Sequence, residues 1–177
     1  MLKVLLIAAI VILVIIVSLL VLAGTKPPRF TIQHSVTIQA PPEKVFALIN
    51  DLHRWPEWSA NEKEDSAVTR TYSGAASGKG AICEWSGKGS AGKGRLEIVE
   101  SSPNLIRLQA DWVKPFAARN INIFTIEPQG NGTRVAWTLD GENVFMLKVM
   151  TIFVSSERLM GSHFESGLAA LKSTAER

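Results

Sequence analysis

Cys83, Glu84 and His163 are the residue types from which a nucleophile, an acid and a base are assembled, and Gly87 to Gly94 is the kind of loop that holds phosphate. Neither group stands in the context its chemistry needs. Cys83 lies on a strand-like stretch between Ile82 and Trp85, where a thiol usually serves as a small buried hydrophobe. Gly87, Gly89 and Gly92 satisfy G-x-G-x-x-G, and Gly87 with Gly92-Lys93 approaches a P-loop. Both motifs require a helix N-terminus directly after the loop, and the P-loop requires Ser or Thr where this chain has Gly94. Arg95 to Val99 instead reads as a strand, so the stretch is a glycine-rich hairpin and no nucleotide is expected. Its lysines Lys88 and Lys93, with Lys79 from the previous turn, make a basic rim suited to anionic lipid head groups. The three histidines, His34, His53 and His163, form no pair at i, i+3 or i+4, so no metal and no other cofactor is expected. Asn131-Gly132-Thr133 matches a glycosylation sequon, but a hairpin turn accounts for it.

A larger set of residues suits a hydrophobic guest. Trp58, Tyr72, Trp85, Trp112, Phe116, Phe124 and Trp137 come from separate segments, and Met146, Met150 and Phe153 from the start of a C-terminal helix. They either fill an ordinary core or line a cavity for a sterol, fatty acid, isoprenoid or polyketide-like molecule, and the residues alone leave both readings open. Tyr72 is a candidate polar handle.

The elements that must position this set follow from hydrophobic period. Met146, Met150, Phe153, Met160, Phe164, Leu168 and Leu171 recur at helical steps, which predicts one long helix over Val144 to Leu171 with Asn143 as N-cap. Phe30 to Ala40 alternates apolar and polar residues and predicts a strand. Pro41-Pro42-Glu43 opens a short amphipathic helix carrying Val45, Leu48, Ile49 and Leu52. Trp55-Pro56-Glu57-Trp58 then interrupts it. Strands are predicted at Val68 to Tyr72, Gly80 to Ser86, Gly94 to Glu100, Leu105 to Trp112, Arg119 to Ile126 and Thr133 to Leu139, joined by short turns, which implies an antiparallel meander. One face of this sheet is apolar, and the long helix should lie on it.

Val4 to Ala23 carries no charge, and at about 1.5 Å per residue such a helix spans roughly 30 Å, the thickness of a bilayer's hydrocarbon layer. It is read as a transmembrane anchor over residues 1–24, a cleaved signal peptide being the competing reading. Lys3 stands on one side of it and Lys26 and Arg29 on the other. A short N-terminal tail in the cytoplasm would place the domain on the extracytoplasmic side, which is the expected localisation: a single-pass membrane protein. Residues 25–29, with Pro27-Pro28, form a stiff linker to a domain over 30–177.

The 177 residues and 46% hydrophobic content suffice for one anchored domain with a core. Nineteen basic and 16 acidic residues, spread along the chain for a net +3, lack the basic stripe of a nucleic-acid binder. The single cysteine excludes an intrachain disulfide.

Several strings resemble the START-like (SRPBCC) superfamily, in its polyketide cyclase/dehydrase and lipid transport branch. They are Val36 to Phe46, Asn50-Asp51 through Ser59, Gly78 to Ala81 with Trp85, Gly132 to Trp137, and Phe164 to Leu168 with Leu171-Lys172. The resemblance covers about Arg29 to Arg177. It implies an α+β helix-grip fold, a seven-stranded curved antiparallel sheet wrapped around a long C-terminal helix with an apolar cavity between them. The function expected first is a membrane-anchored domain that binds a hydrophobic small molecule or lipid without catalysis. The alternatives are a cyclase or dehydratase-like enzyme using Tyr72, Glu84, Asp111 or His163 as acid or base, and a chaperone-cofactor-like module that meets a protein partner near Trp55 and Trp58.

Overall fold

Alternation of apolar and polar residues produces seven strands whose inner positions are buried and whose outer positions stay wet. The computed structural model describes residues 1–59, 68–87, 92–114 and 117–177. Strand β1 (Arg29–Ile38) leads through helix α2 (Pro42–Asn50) and a 3₁₀ segment (Leu52–Glu57) to the meander β2 (Thr69–Gly74), β3 (Ala81–Ser86), β4 (Lys93–Ser102), β5 (Leu105–Lys114), β6 (Ala118–Gln129) and β7 (Gly132–Glu142). All form one antiparallel sheet in the order β1-β7-β6-β5-β4-β3-β2, so the last strand returns to pair with the first. Ahead of the sheet stands helix α1 (Leu2–Thr25).

After β7 come two helices, not one: α3 (Phe145–Phe153) and α4 (Ser156–Ala175). The long helix expected over Val144 to Leu171 is broken at Val154 and Ser155, both of which adopt extended backbone angles. Ser155 restarts the chain as an N-cap, its hydroxyl accepting from the Arg158 N–H at 3.2 Å, with Glu157 in the first turn to complement the helix dipole. Asn143 is not an N-cap either. Its side-chain amide donates to the Pro27 carbonyl at 3.0 Å and its backbone N–H to that of Pro28 at 2.8 Å, which ties the linker to the end of β7.

Helix α4 lies on the concave face of the sheet. Gly161, Phe164, Gly167, Leu168, Leu171 and Ala175 form its buried stripe. Beside it α2 buries Val45, Leu48 and Ile49. Between these helices and the sheet lie Ile98, Ile106, Leu108, Phe124, Ile126 and Val135, each at most 1% exposed. Burial of each such side chain is worth about 1.5–3 kcal/mol before the entropic cost of ordering it. The β2–β3 turn is pinned to this layer by Gly78, which donates its N–H to the Asn50 carbonyl at 2.8 Å from a left-handed φ of 70° that glycine adopts freely. The Ser101 hydroxyl donates to Asn50 Oδ1 at 2.7 Å from the other side.

Candidate functional site

The strand register explains why a space remains between sheet and helices. One row crossing the whole sheet reads Tyr72, Cys83, Leu96, Ala110, Asn120, Gly141 and Phe30. Two of its members, Ala110 and Gly141, are small: the room at Gly141 is taken by the Phe30 ring, and Ala110 faces open space. The deeper rows carry Ile98, Leu108 and Leu139, then Ile106, Phe124 and Trp137, and these meet α2 and α4 in close packing. Above them, over Ala110 and Asn120 and beside the Phe30 ring, lies a cavity of about 460 Å³. That is within the range of small-molecule sites, about 300–1,000 Å³.

One end of the cavity is built by a second row, in which Gly94 lies between Trp85 and Trp112. A side chain at Gly94 would collide with the Trp85 ring, its Cβ falling 2.5 Å from ring carbons, so the glycine lets the indole lie flat across β4. Trp85 and Trp112 then meet edge to face with centroids 5.0 Å apart. The floor is Trp137, stacked on Phe124 at 5.0 Å and fixed by an indole N–H donated to Asn122 Oδ1 at 2.9 Å. The roof comes from α4 through Leu159, Met160, His163 and Phe164, and from α3 through Leu147. Leu159 lines the cavity while 36% exposed, so the space reaches the surface beside the α3–α4 break.

Of the ten residues singled out from the sequence, Tyr72, Trp85, Trp112 and Trp137 line the cavity. Phe116 lies outside the described residues, as do Lys88 and part of the glycine-rich hairpin. Trp58 and Phe124 belong to the packed core. Trp58 is 1% exposed and donates its indole N–H to the Leu48 carbonyl at 3.1 Å, so it is buried and not part of a partner surface. Met146, Met150 and Phe153 do not face the cavity. They are 50%, 41% and 71% exposed, because the break at Val154-Ser155 swings α3 off the line of α4. Sequence reasoning passed over Trp55, Phe30 and Asn120 as lining residues; the register with small Gly141 and Ala110 was the signal for two of them.

Among the described residues, the polar groups that line the cavity are Ser59, Arg70, Tyr72, Asn120, Asn122, His163 and, at its exposed edge, Glu142. The Tyr72 ring stacks on His53 at 4.1 Å. Glu84 is exposed, and Asp111 points to the convex side, opposite Trp112. Burial works against the Asp111 charge, but hydrogen bonds from Arg119 Nε at 2.6 Å and Gln109 Nε2 at 2.8 Å outweigh it and hold the carboxyl below its ordinary range. Neither carboxylate can serve chemistry in the cavity.

The sequence model of the polyketide cyclase/dehydrase and lipid transport family matches residues 29–176. The chain belongs to that family. A candidate polyketide cyclase of Streptomyces cyaneus is 27% identical over 115 residues, covering 61% of this chain and 70% of its own length. Among solved structures, the di-domain ARO/CYC BexL from the BE-7585A biosynthetic pathway superposes with a TM-score of 0.63 at 12% identity, over 88% of this chain and 53% of that one. A Thermus thermophilus protein superposes with a TM-score of 0.59 at 24% identity, over 82% and 97%. The Aha1 dimer of Colwellia psychrerythraea does so with a TM-score of 0.55 at 18% identity, over 83% and 96%. These likenesses establish the helix-grip fold in this family member.

Proposed function

We propose that this chain is a membrane-anchored domain that holds one hydrophobic small molecule or lipid between the sheet and α4. The supporting observation is the cavity itself, about 460 Å³ of space walled by tryptophans and aliphatic side chains in a family whose description includes lipid transport. Covering about 300 Å² of an apolar guest at about 25 cal/mol per Å² gives several kcal/mol, enough for micromolar binding without a dedicated ionic contact. Residues 1–24 serve as the anchor, 25–29 as the spacer and 30–177 as the binding domain. Asn120, Tyr72 and His163 orient the guest's polar end.

A second reading, cyclase-like catalysis, draws support from the Streptomyces cyaneus relative and from the presence of Tyr72, Arg70 and His163 in one cavity. Full-length protein in nanodiscs, titrated with cis-parinaric acid and read by energy transfer from Trp85 and Trp112, separates the two from a filled core. Saturable one-to-one transfer with no turnover of a polyketide mimic is the expected outcome; no saturable site sinks the binding reading, and turnover that needs His163 or Tyr72 moves the assignment to the enzyme. The mass of the chain recovered from membranes should include residues 1–24, and its absence would make α1 a signal sequence.

A further inference from the structure

Helix α3 has two apolar faces and only one of them is covered. Leu147 points into the cavity roof. On the other side Phe145, Met146, Met150 and Phe153 stand 41–71% exposed, a continuous stripe at helical spacing on a nine-residue helix. Exposed tips of this size normally find a partner. What covers them is indicated by what α3 touches: it packs against the C-terminal end of α1, where Ala23 is fully buried and the Lys26 ammonium donates to the Thr151 carbonyl at 3.0 Å. The Asn143 bonds to the Pro27 and Pro28 carbonyls fix the same junction from the linker side. If α1 crosses a bilayer, its last turn lies at the bilayer surface, and α3 is held there with it. Lys26 lies at this junction, and Arg29 and Lys148 lie beside it with Glu142, the cross-strand neighbour of Arg29, so that the cations outnumber the carboxylate at the level where lipid head groups would sit.

We propose that α3 is an interfacial helix that beds Phe145, Met146, Met150 and Phe153 in the bilayer that α1 spans, so that the cavity opens at the membrane surface and exchanges its guest with the lipid phase. The proposal rests on the anchor-and-cavity reading above. Its chemistry is that of amphipathic helices lying in the interfacial plane, with apolar side chains below and cations at the head groups. The break at Val154-Ser155 is what permits it: an uninterrupted helix would keep these residues over the sheet.

The test uses the full-length chain in phosphatidylcholine vesicles containing phosphatidylserine. In a Cys83→Ala background, a nitrobenzoxadiazole probe is placed at Phe153→Cys and, as control, at Asn131→Cys in the β6–β7 turn at the far end of the sheet. The expected result is blue-shifted emission at 153 that lipid doxyl-labelled near the head group quenches, with a wet, unquenched probe at 131. A wet, unquenched probe at 153 overturns the proposal. So does a dry probe that doxyl lipid leaves unquenched, since a second copy of the chain would then cover the face. Phe145→Glu with Phe153→Glu, at exposed positions, should slow transfer of cis-parinaric acid from vesicle to cavity about tenfold while leaving its equilibrium binding in place. Unchanged transfer overturns the exchange route. Quenching at 153 with no parinarate bound anywhere would keep the docking and remove the cavity reading instead.

Discussion

The Trp137 ring occupies the space left by the missing side chain of Gly167: a Cβ on that glycine would lie 2.8 Å from Trp137 Cζ3. Helix α4 crosses the sheet at this point, and the indole is clamped between Phe124, Phe164 and its bond to Asn122, so it cannot retreat. Gly167→Ala gains up to about 1 kcal/mol of helix propensity but overpacks a rigid contact, which costs about 1–3 kcal/mol. The net expectation is a lower thermal midpoint for Gly167→Ala and a larger drop for Gly167→Leu. An unchanged or raised midpoint for Gly167→Ala would show that α4 can slide off the ring.

Asn122 is 9% exposed and accepts the Trp137 indole N–H at 2.9 Å. Asn122→Leu leaves that N–H buried without an acceptor, a loss of about 1–3 kcal/mol. Trp137→Phe removes the donor, so the double variant should fall short of the sum of the singles by about 1 kcal/mol. Additive losses in urea denaturation would mean that the bond is idle.

Much of the fold was legible because each strand has one wet face: alternation marked Leu105 to Trp112 and Thr133 to Leu139, inside strands that run Leu105–Lys114 and Gly132–Glu142, and short turns left only an antiparallel meander. The α3–α4 break was harder to see because no proline marks it. Its trace is Ser155-Ser156-Glu157 behind the β-branched Val154, a cap signature inside a run whose apolar period continues across it. The cavity was half legible. Aromatic type singles out large apolar residues but not the row of the sheet on which each stands, so Trp85 and Trp58 look alike in sequence while one lines the space and the other fills the core. Ala110 leaves part of the space, while the room left by Gly141 is taken by the Phe30 ring that walls it, and small residues carry no periodic signal.

Ala110 therefore offers a clean way to close the cavity. It is 4% exposed, sits in the middle of its row across the sheet and faces the empty space rather than α4. Ala110→Phe adds a ring where there is room for one, so the unfolding midpoint should stay or rise while parinarate binding falls by about tenfold or more, since the guest loses apolar area worth at least about 1.4 kcal/mol. Retained binding would place the guest elsewhere.

Loss of the Ser155 hydroxyl tests the break. Ser155→Ala removes the acceptor for the Arg158 N–H at the start of α4, a change expected to cost about 0.5–2 kcal/mol. Ser155→Asp should restore it, and should exceed serine at low ionic strength because a carboxylate also meets the positive end of the helix dipole. Equal midpoints for all three would mean that Ser155 does not start the helix.

The pH dependence of Asp111 follows from the sign of its shift. Burial raises its pKa, the hydrogen bonds from Arg119 and Gln109 lower it more, and the folded value lies below the unfolded one of about 3.9. The stabilising contribution is therefore present above that value and disappears as pH falls through the lower, folded pKa. The pair straddles β5 and β6 at a register position on the wet face, with Arg119 63% exposed, so water and salt screen it and the effect is small. Asp111→Asn should lower the urea midpoint slightly at neutral pH and low salt, and the gap from the parent chain should close on acidification below the ordinary aspartate range. A gap that persists unchanged in acid would mean that the amide variant loses packing rather than charge.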